Sequence, residues 1–232
     1  MQLDDSTRDN FKKGFRKAIR GGELILISQL RAKLMLAVLI CVVVGIPAVG
    51  QEPKPTNLPT PSVRAAQILD VSLFEKFSPP GAGFSVLLPG KPKEEVQDLD
   101  TEIGKLTNHM YLVDASGVFY AVMYAEFPAP ITDPEIARGM FDNARTMAIA
   151  ATRAEVKSET EITLNGYPGR ELLVSMPGGL GLLRGRMYMV KQFFYQAITL
   201  TVPEKNAEIL KLREAEVKKF FDSFTLVADT VK

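Results

Sequence analysis

The sequence predicts an α+β domain: an antiparallel sheet covered by helices, preceded by an N-terminal signal or membrane-anchor segment. Three observations predict it. Asp114 to Gly117 and Asn165-Gly166 are tight-turn chemistry between runs of β-branched and aromatic residues, so successive strands pair as hairpins. The hydrophobic period changes from two to three-and-four after Asp133 and again after Val202, which marks helices. Hairpin neighbours are antiparallel, because parallel neighbours need long crossovers.

In chain order, Met1 to Lys33 is a basic N-terminal segment with 8 Lys/Arg against 4 Asp/Glu, and residues 34–50 follow without a charge. That run reads either as a signal-peptide core, with Pro47 and the small residues Ala48-Val49-Gly50 before a cleavage ahead of Gln51, or as a single membrane span. In both readings the basic flank stays inside and the rest is extracytoplasmic: periplasmic, secreted or anchored to the membrane by the helix. Residues 51–72 form a Pro-rich linker with Pro53, Pro55, Pro59 and Pro61. A globular domain over residues 73–229 is expected beyond it. Ala65 to Phe77 is left open between a short helix and a strand.

FSVLLPGKP, from Phe84, is a short strand stopped by Pro89-Gly90. Glu102 to Val113 and Val118 to Phe127 form a hairpin. Asp133 to Thr152 carries helix start signals: Asp133 or Thr132 as N-cap, Pro134 at the first position, Glu135 in the first turn. Its apolar stripe is expected to be Ile136, Met140, Ala144, Met147, Ala148 and Ala151. Glu155 to Leu164 and Arg170 to Ser175 form a hairpin across Asn165-Gly166. Arg184 to Val190 and Phe194 to Val202, joined at Lys191 and Gln192, form the central pair. In the latter strand Phe194, Ile198, Leu200 and Val202 share one oily face, and Tyr195, Ala197, Thr199 and Thr201 a mixed one. A last helix, Glu204 to Phe221, presents Leu210, Val217, Phe220 and Phe221 inward and Lys211, Lys218 and Lys219 outward; Phe224, Leu226 and Val227 close the domain.

Four pieces, FSVLLPGKP, the hairpin ending in VFYAVMYAEFP, NGYPGREL and the closing KKFFDSFTLV, together resemble the bacterial branch of the PsbP-like superfamily over residues 84–227. The resemblance implies an α/β/α sandwich, with an antiparallel sheet of about six strands covered by helices, and a role in binding and stabilising other proteins. It carries over no catalytic residue.

Composition narrows function further. After Gly50 the chain has 20 Lys/Arg against 23 Asp/Glu, so it lacks the basic footprint of nucleic-acid binding. The single cysteine, Cys41, lies in the apolar run, and the single histidine is His109, so cysteine chemistry and multi-histidine metal sites are excluded from the domain. Gly178-Gly179-Leu180-Gly181 lacks the GK[ST] ending of a phosphate loop and reads as a hairpin loop. His109, with Glu102, Asp114 and Ser116, suggests a base and nucleophile but has no nucleophile elbow beside it. Met140, Met147, Met187 and Met189 are core by spacing. Arg184, Arg186, Tyr188, Lys191 and Tyr195 form the candidate partner surface, because arginine and tyrosine anchor interfaces. Replacing Arg184 and Arg186 by alanine is expected to leave the thermal midpoint nearly unchanged.

The expectation is therefore an exported or tethered accessory module that binds a protein or envelope component. No catalytic residue, cofactor or metal is assigned. The alternative is a small hydrolase or transferase using His109 or carboxylates such as Glu126 and Asp133.

Overall fold

A computed structural model describes residues 74–101 and 104–227; the basic segment, the apolar run and the linker fall outside the described residues. The strands are β1 (Phe74–Phe77), β2 (Phe84–Pro89), β3 (Lys93–Thr101), β4 (Gly104–Ala115), β5 (Val118–Glu126), β6 (Glu155–Leu164), β7 (Tyr167–Ser175), β8 (Leu182–Val190), β9 (Phe193–Thr201) and β10 (Thr225–Leu226). Helix α1 (Pro134–Thr152) and helix α2 (Ala207–Ser223) lie between them in sequence. Seven strands form one antiparallel sheet in the order β3-β4-β5-β9-β8-β7-β6, and β1-β2-β10 form a separate sheet of three. The expected count of about six is thus corrected to seven plus three. The unforeseen edge strand β3, KEEVQDLDT, is largely charged, which hides its period of two.

The hairpin turns form as their residues dictate. Asn165 and Gly166 have φ of 51° and 85°, the positive pair that a two-residue turn matching strand twist requires. Ser116 and Gly117 do the same between β4 and β5. At Gly117 a second constraint operates, because a Cβ would collide with the guanidinium of Arg213.

Helix α1 is capped as expected: Asp133 Oδ1 accepts the Glu135 N–H at 2.8 Å, and left-handed Arg153 ends the helix with its N–H on the Ile149 carbonyl at 2.7 Å. Its buried stripe is rotated from the expected one. Ala137, Phe141 and Ala144 are buried, whereas Ile136 is 52% exposed. Phe141 packs on Phe194 with ring centroids 5.9 Å apart, and centring the stripe on that bulky ring turns Ile136 outward. Helix α2 starts later than expected, because Asn206 is the N-cap for Glu208 and Ile209. The Glu204 carboxylate instead accepts the N–H groups of Asn206 and Lys205, which holds its pKa below the usual value. Lys219, expected outward, reaches back over the Phe74 ring at 4.8 Å.

The large sheet carries a core on each of its faces. One core joins α1 to Leu106, Met110, Met123, Leu172, Met187 and Ile198. The other joins α2 and the small sheet to an aromatic layer including Phe84, Tyr120, Tyr124, Tyr195 and Phe220. The mixed face expected on β9 is therefore a correction, since Tyr195 and Thr199 are almost wholly buried. The Tyr195 hydroxyl donates to the Ala82 carbonyl at 2.8 Å, so the turn between β1 and β2 supplies the partner that lets this polar tip be buried.

Candidate partner surface

Strand β8 turns Leu183, Met187 and Met189 toward the α1 core, so Leu182, Arg184, Arg186 and Tyr188 point to the α2 side. Of the five residues expected at a surface, two are buried. Tyr188 is 4% exposed and stacks on Phe224 at 5.8 Å, and Tyr195 is fully buried, so both are core residues. Their half of the hairpin lies beneath the small sheet and the end of α2, a cover that comes from distant sequence.

Arg186 is half-buried and committed. Its Nε bonds Glu171 Oε2 at 2.6 Å, its Nη1 lies 3.7 Å from Asp222 Oδ1, and its guanidinium sits 5.1 Å from the Phe221 ring centre. Burial opposes its charge, but the Glu171 hydrogen bond and the carboxylates outweigh that, so its pKa is raised. Lys191 occupies the left-handed turn position, and its carbonyl accepts the Ile131 N–H at 2.9 Å. Arg184 is half-buried, and among the described residues it has no ion-pair partner.

Registers show where the cover over this face stops. Ser158, Leu173, Arg184, Thr199 and Tyr120 stand in one row across β6, β7, β8, β9 and β5. Tyr120 and Thr199 are buried, Arg184 and Leu173 half-buried, and Ser158 exposed. The next row behaves alike: Val122 and Ala197 are buried, Arg186 and Glu171 half-buried, Thr160 exposed. In these rows the face is covered over β5 and β9 and opens from β8 to β6, whereas further along the same strands Tyr188, Tyr167, Ile162 and Leu164 pack on the covered core. Leu182, 47% exposed, stands on the same open face.

A second opening lies on the opposite side, between the N-terminal half of α1 and the β6–β7 hairpin. It measures about 380 Å³, with Phe141 and Pro168 among its walls and Arg138 and Glu161 at hand. Its buried cation, Arg170, is spent on structure. Nη1 bonds Asp142 Oδ1 at 2.5 Å and Glu159 Oε1 at 2.8 Å, and the guanidinium lies 5.5 Å from the Phe141 ring centre. Arg145 approaches the other oxygen of Glu159 at 2.9 Å. These charges fasten α1 to the edge hairpin. The sequence held one signal of it: Arg170 takes the inward phase of Leu172 and Val174, where a strand pattern calls for an apolar residue.

The residues considered for catalysis are dispersed. His109 stacks on Tyr124 at 4.8 Å with 6° between the rings, and its Nδ1 lies 3.7 Å from Glu94 Oε1. Glu94 also accepts the Tyr111 hydroxyl at 3.1 Å, and burial foremost raises the Tyr111 pKa. Ser116 lies seven residues along β4 into its turn, roughly 20 Å from His109 at ~3.3 Å per strand residue. Its carbonyl accepts Arg213 Nε at 2.8 Å. Asp133 is the α1 cap, Glu126 is exposed at the end of β5, and Glu102 lies outside the described residues. Gly178 and Gly179, both at positive φ, form a turn after Pro177 that leads into β8. Among the described residues no three His, Cys, Asp or Glu side chains group as metal ligands, and no helix is long and apolar enough to cross a membrane.

No protein-family model and no curated protein matches the chain. Among solved structures, cyanobacterial PsbP from Synechocystis sp. PCC 6803 is similar at 12% identity and a TM-score of 0.46, over 70% of this chain and 98% of that one. A protein from Bacteroides thetaiotaomicron VPI-5482 is similar at 11% identity and a TM-score of 0.36, over 68% of this chain and half of that one. A protein of unknown function from Pseudomonas aeruginosa is similar at 14% identity and a TM-score of 0.31, over 62% and 91%. The first of these is a PsbP protein, the family that the four pieces of sequence resemble.

Proposed function

We propose that the chain is a non-catalytic accessory module, exported or held at a membrane by residues 34–50, that binds a protein or envelope component outside the cytoplasm. The observation that carries this reading is the open sheet face beside α2, where Arg184 stands half-buried without an ion-pair partner among the described residues while Arg186 next to it is fully engaged. A half-desolvated cation flanked by apolar side chains is a group that gains from an arriving partner. The order of basic segment, apolar run and Pro-rich linker supports export.

Two experiments test it. An enzyme active only outside the cytoplasm, fused after Arg64, is expected to work; activity of a cytoplasmic reporter there in its place refutes the location, and mass spectrometry of the mature N-terminus reads cleavage before Gln51. The full chain, used as bait on envelope extracts, is expected to capture a defined partner. Failure to capture one, together with a hydrolytic activity abolished by His109→Ala, replaces this reading with the catalytic one.

A further inference from the structure

We infer that the open face of β6, β7 and β8 beside α2 docks a protein segment that presents a carboxylate flanked by apolar side chains. The inference rests on the binding reading above and gives its partner a chemistry.

Arg184 has Leu173 directly across on β7 and Leu182 two residues back on the same face. Leu182 is nearly half exposed, and the hydroxyls of Ser158 and Thr160 border the shelf on the edge strand. Helix α2 walls the other side, since Arg186 reaches Asp222 there and Asp222 is bonded to Lys218. Glu171, Arg186, Asp222 and Lys218 thereby satisfy one another, and Arg184 is left as the shelf's unengaged charge. A guanidinium accepts a carboxylate through two parallel N–H donors, with a geometry that fixes the orientation of the incoming segment. Apolar side chains on either side of that carboxylate would cover Leu173 and Leu182 and take the ion pair out of water, which strengthens it.

Charge complementarity favours this occupant over the alternatives. An anionic membrane surface is held by clusters of several basic residues, whereas among the described residues this shelf offers one uncommitted cation, on a chain that is acidic after Gly50. A basic peptide would find Glu171 and Asp222 already neutralised by Arg186 and Lys218.

The test titrates the full chain with the peptide acetyl-Leu-Asp-Leu-Asp-Leu-amide, with its asparagine counterpart, and with phosphatidylglycerol vesicles, following the amide resonances of Leu173, Leu182 and Arg184. The acidic peptide is expected to shift these three, and its affinity to fall by about tenfold or more for the asparagine peptide and for Arg184→Glu, the scale of losing an interface arginine. Arg184→Gln serves as the second variant, with thermal midpoints confirming that both fold. Equal affinity for the two peptides, indifference to both variants, no response, or a response to vesicles in place of peptide each overturns the inference. The envelope capture separates the two levels: a partner held equally by wild type and Arg184→Glu sinks the acidic-segment docking and leaves the binding reading standing, whereas capture of nothing sinks the binding reading itself.

Discussion

The two halves of the α2-side face are made from the same strand alternation and end in opposite conditions. Over β4, β5 and β9, α2 and the small sheet seal an aromatic layer in which Tyr120 and Tyr195 are fully buried. Over β6 to β8, the same registers carry hydroxyls, paired charges and the unengaged Arg184. Arginine itself marks the difference. On the sealed side Arg213 gives its donors to the Ser116 and Val202 carbonyls and lies 3.6 Å from Glu204, locking α2 onto two strand ends. On the open side Arg184 locks nothing. A side chain's type therefore says less about its role than the distance in sequence from which its cover arrives.

That contrast can be broken at several points. The largest effect is expected on the other face of β9, in the core under α1, where Leu200→Ala or Ile198→Ala should cost about 2–5 kcal/mol in chemical denaturation, the range for truncating a buried aliphatic side chain. Losses below about half a kcal/mol at both sites would mean that β9 is not central. Arg213→Ala comes next at about 2–3 kcal/mol, because two carbonyls lose their donor. Arg186→Ala should cost about 1 kcal/mol, having a half-buried ion pair and a ring contact to lose, whereas Arg184→Ala should stay within about half of that. Arg186 thus carries whatever the midpoint loses when both arginines are removed. Equal losses at Arg213 and Arg184 would erase the distinction between the halves.

A pH experiment sharpens the comparison with a smaller effect. Glu216 is buried on α2, and burial raises its pKa above the ordinary 4.5 even though Arg213 and Lys219 pull it down. A carboxyl with a raised folded pKa keeps its proton more tightly folded than unfolded, so its ionisation disfavours the fold. Stability should therefore decline as pH rises from about 4.5 through the folded pKa. Glu216→Gln should flatten that decline in denaturation midpoints. An unchanged pH profile in Glu216→Gln refutes the assignment.

How much the sequence revealed follows the same divide between local and distant causes. The Asn165-Gly166 hairpin and both ends of α1 were legible because turn and cap are satisfied within a few residues. Strand β3 was not, since an edge strand needs few apolar residues. Tyr188 and Tyr195 looked like interface anchors because the elements that bury them, β2 and the end of α2, are fixed by pairings no local pattern announces. Arg170 and Arg213 were missed as structural charges for that reason too: Arg170 meets Asp142 from 28 residues away, and Arg213 meets Ser116 from 97.

The three-stranded sheet sets a schedule for the chain's own making. Its middle strand, β2, pairs with β1 beside it in sequence and with β10 at the far end, where Thr225 meets Ser85 and Leu226 meets Phe84. The Val227 N–H also closes on the Gly83 carbonyl at 2.9 Å. A ribosome must release every other element of the domain before this clasp can form, so the nascent domain stays unclosed until β10 emerges.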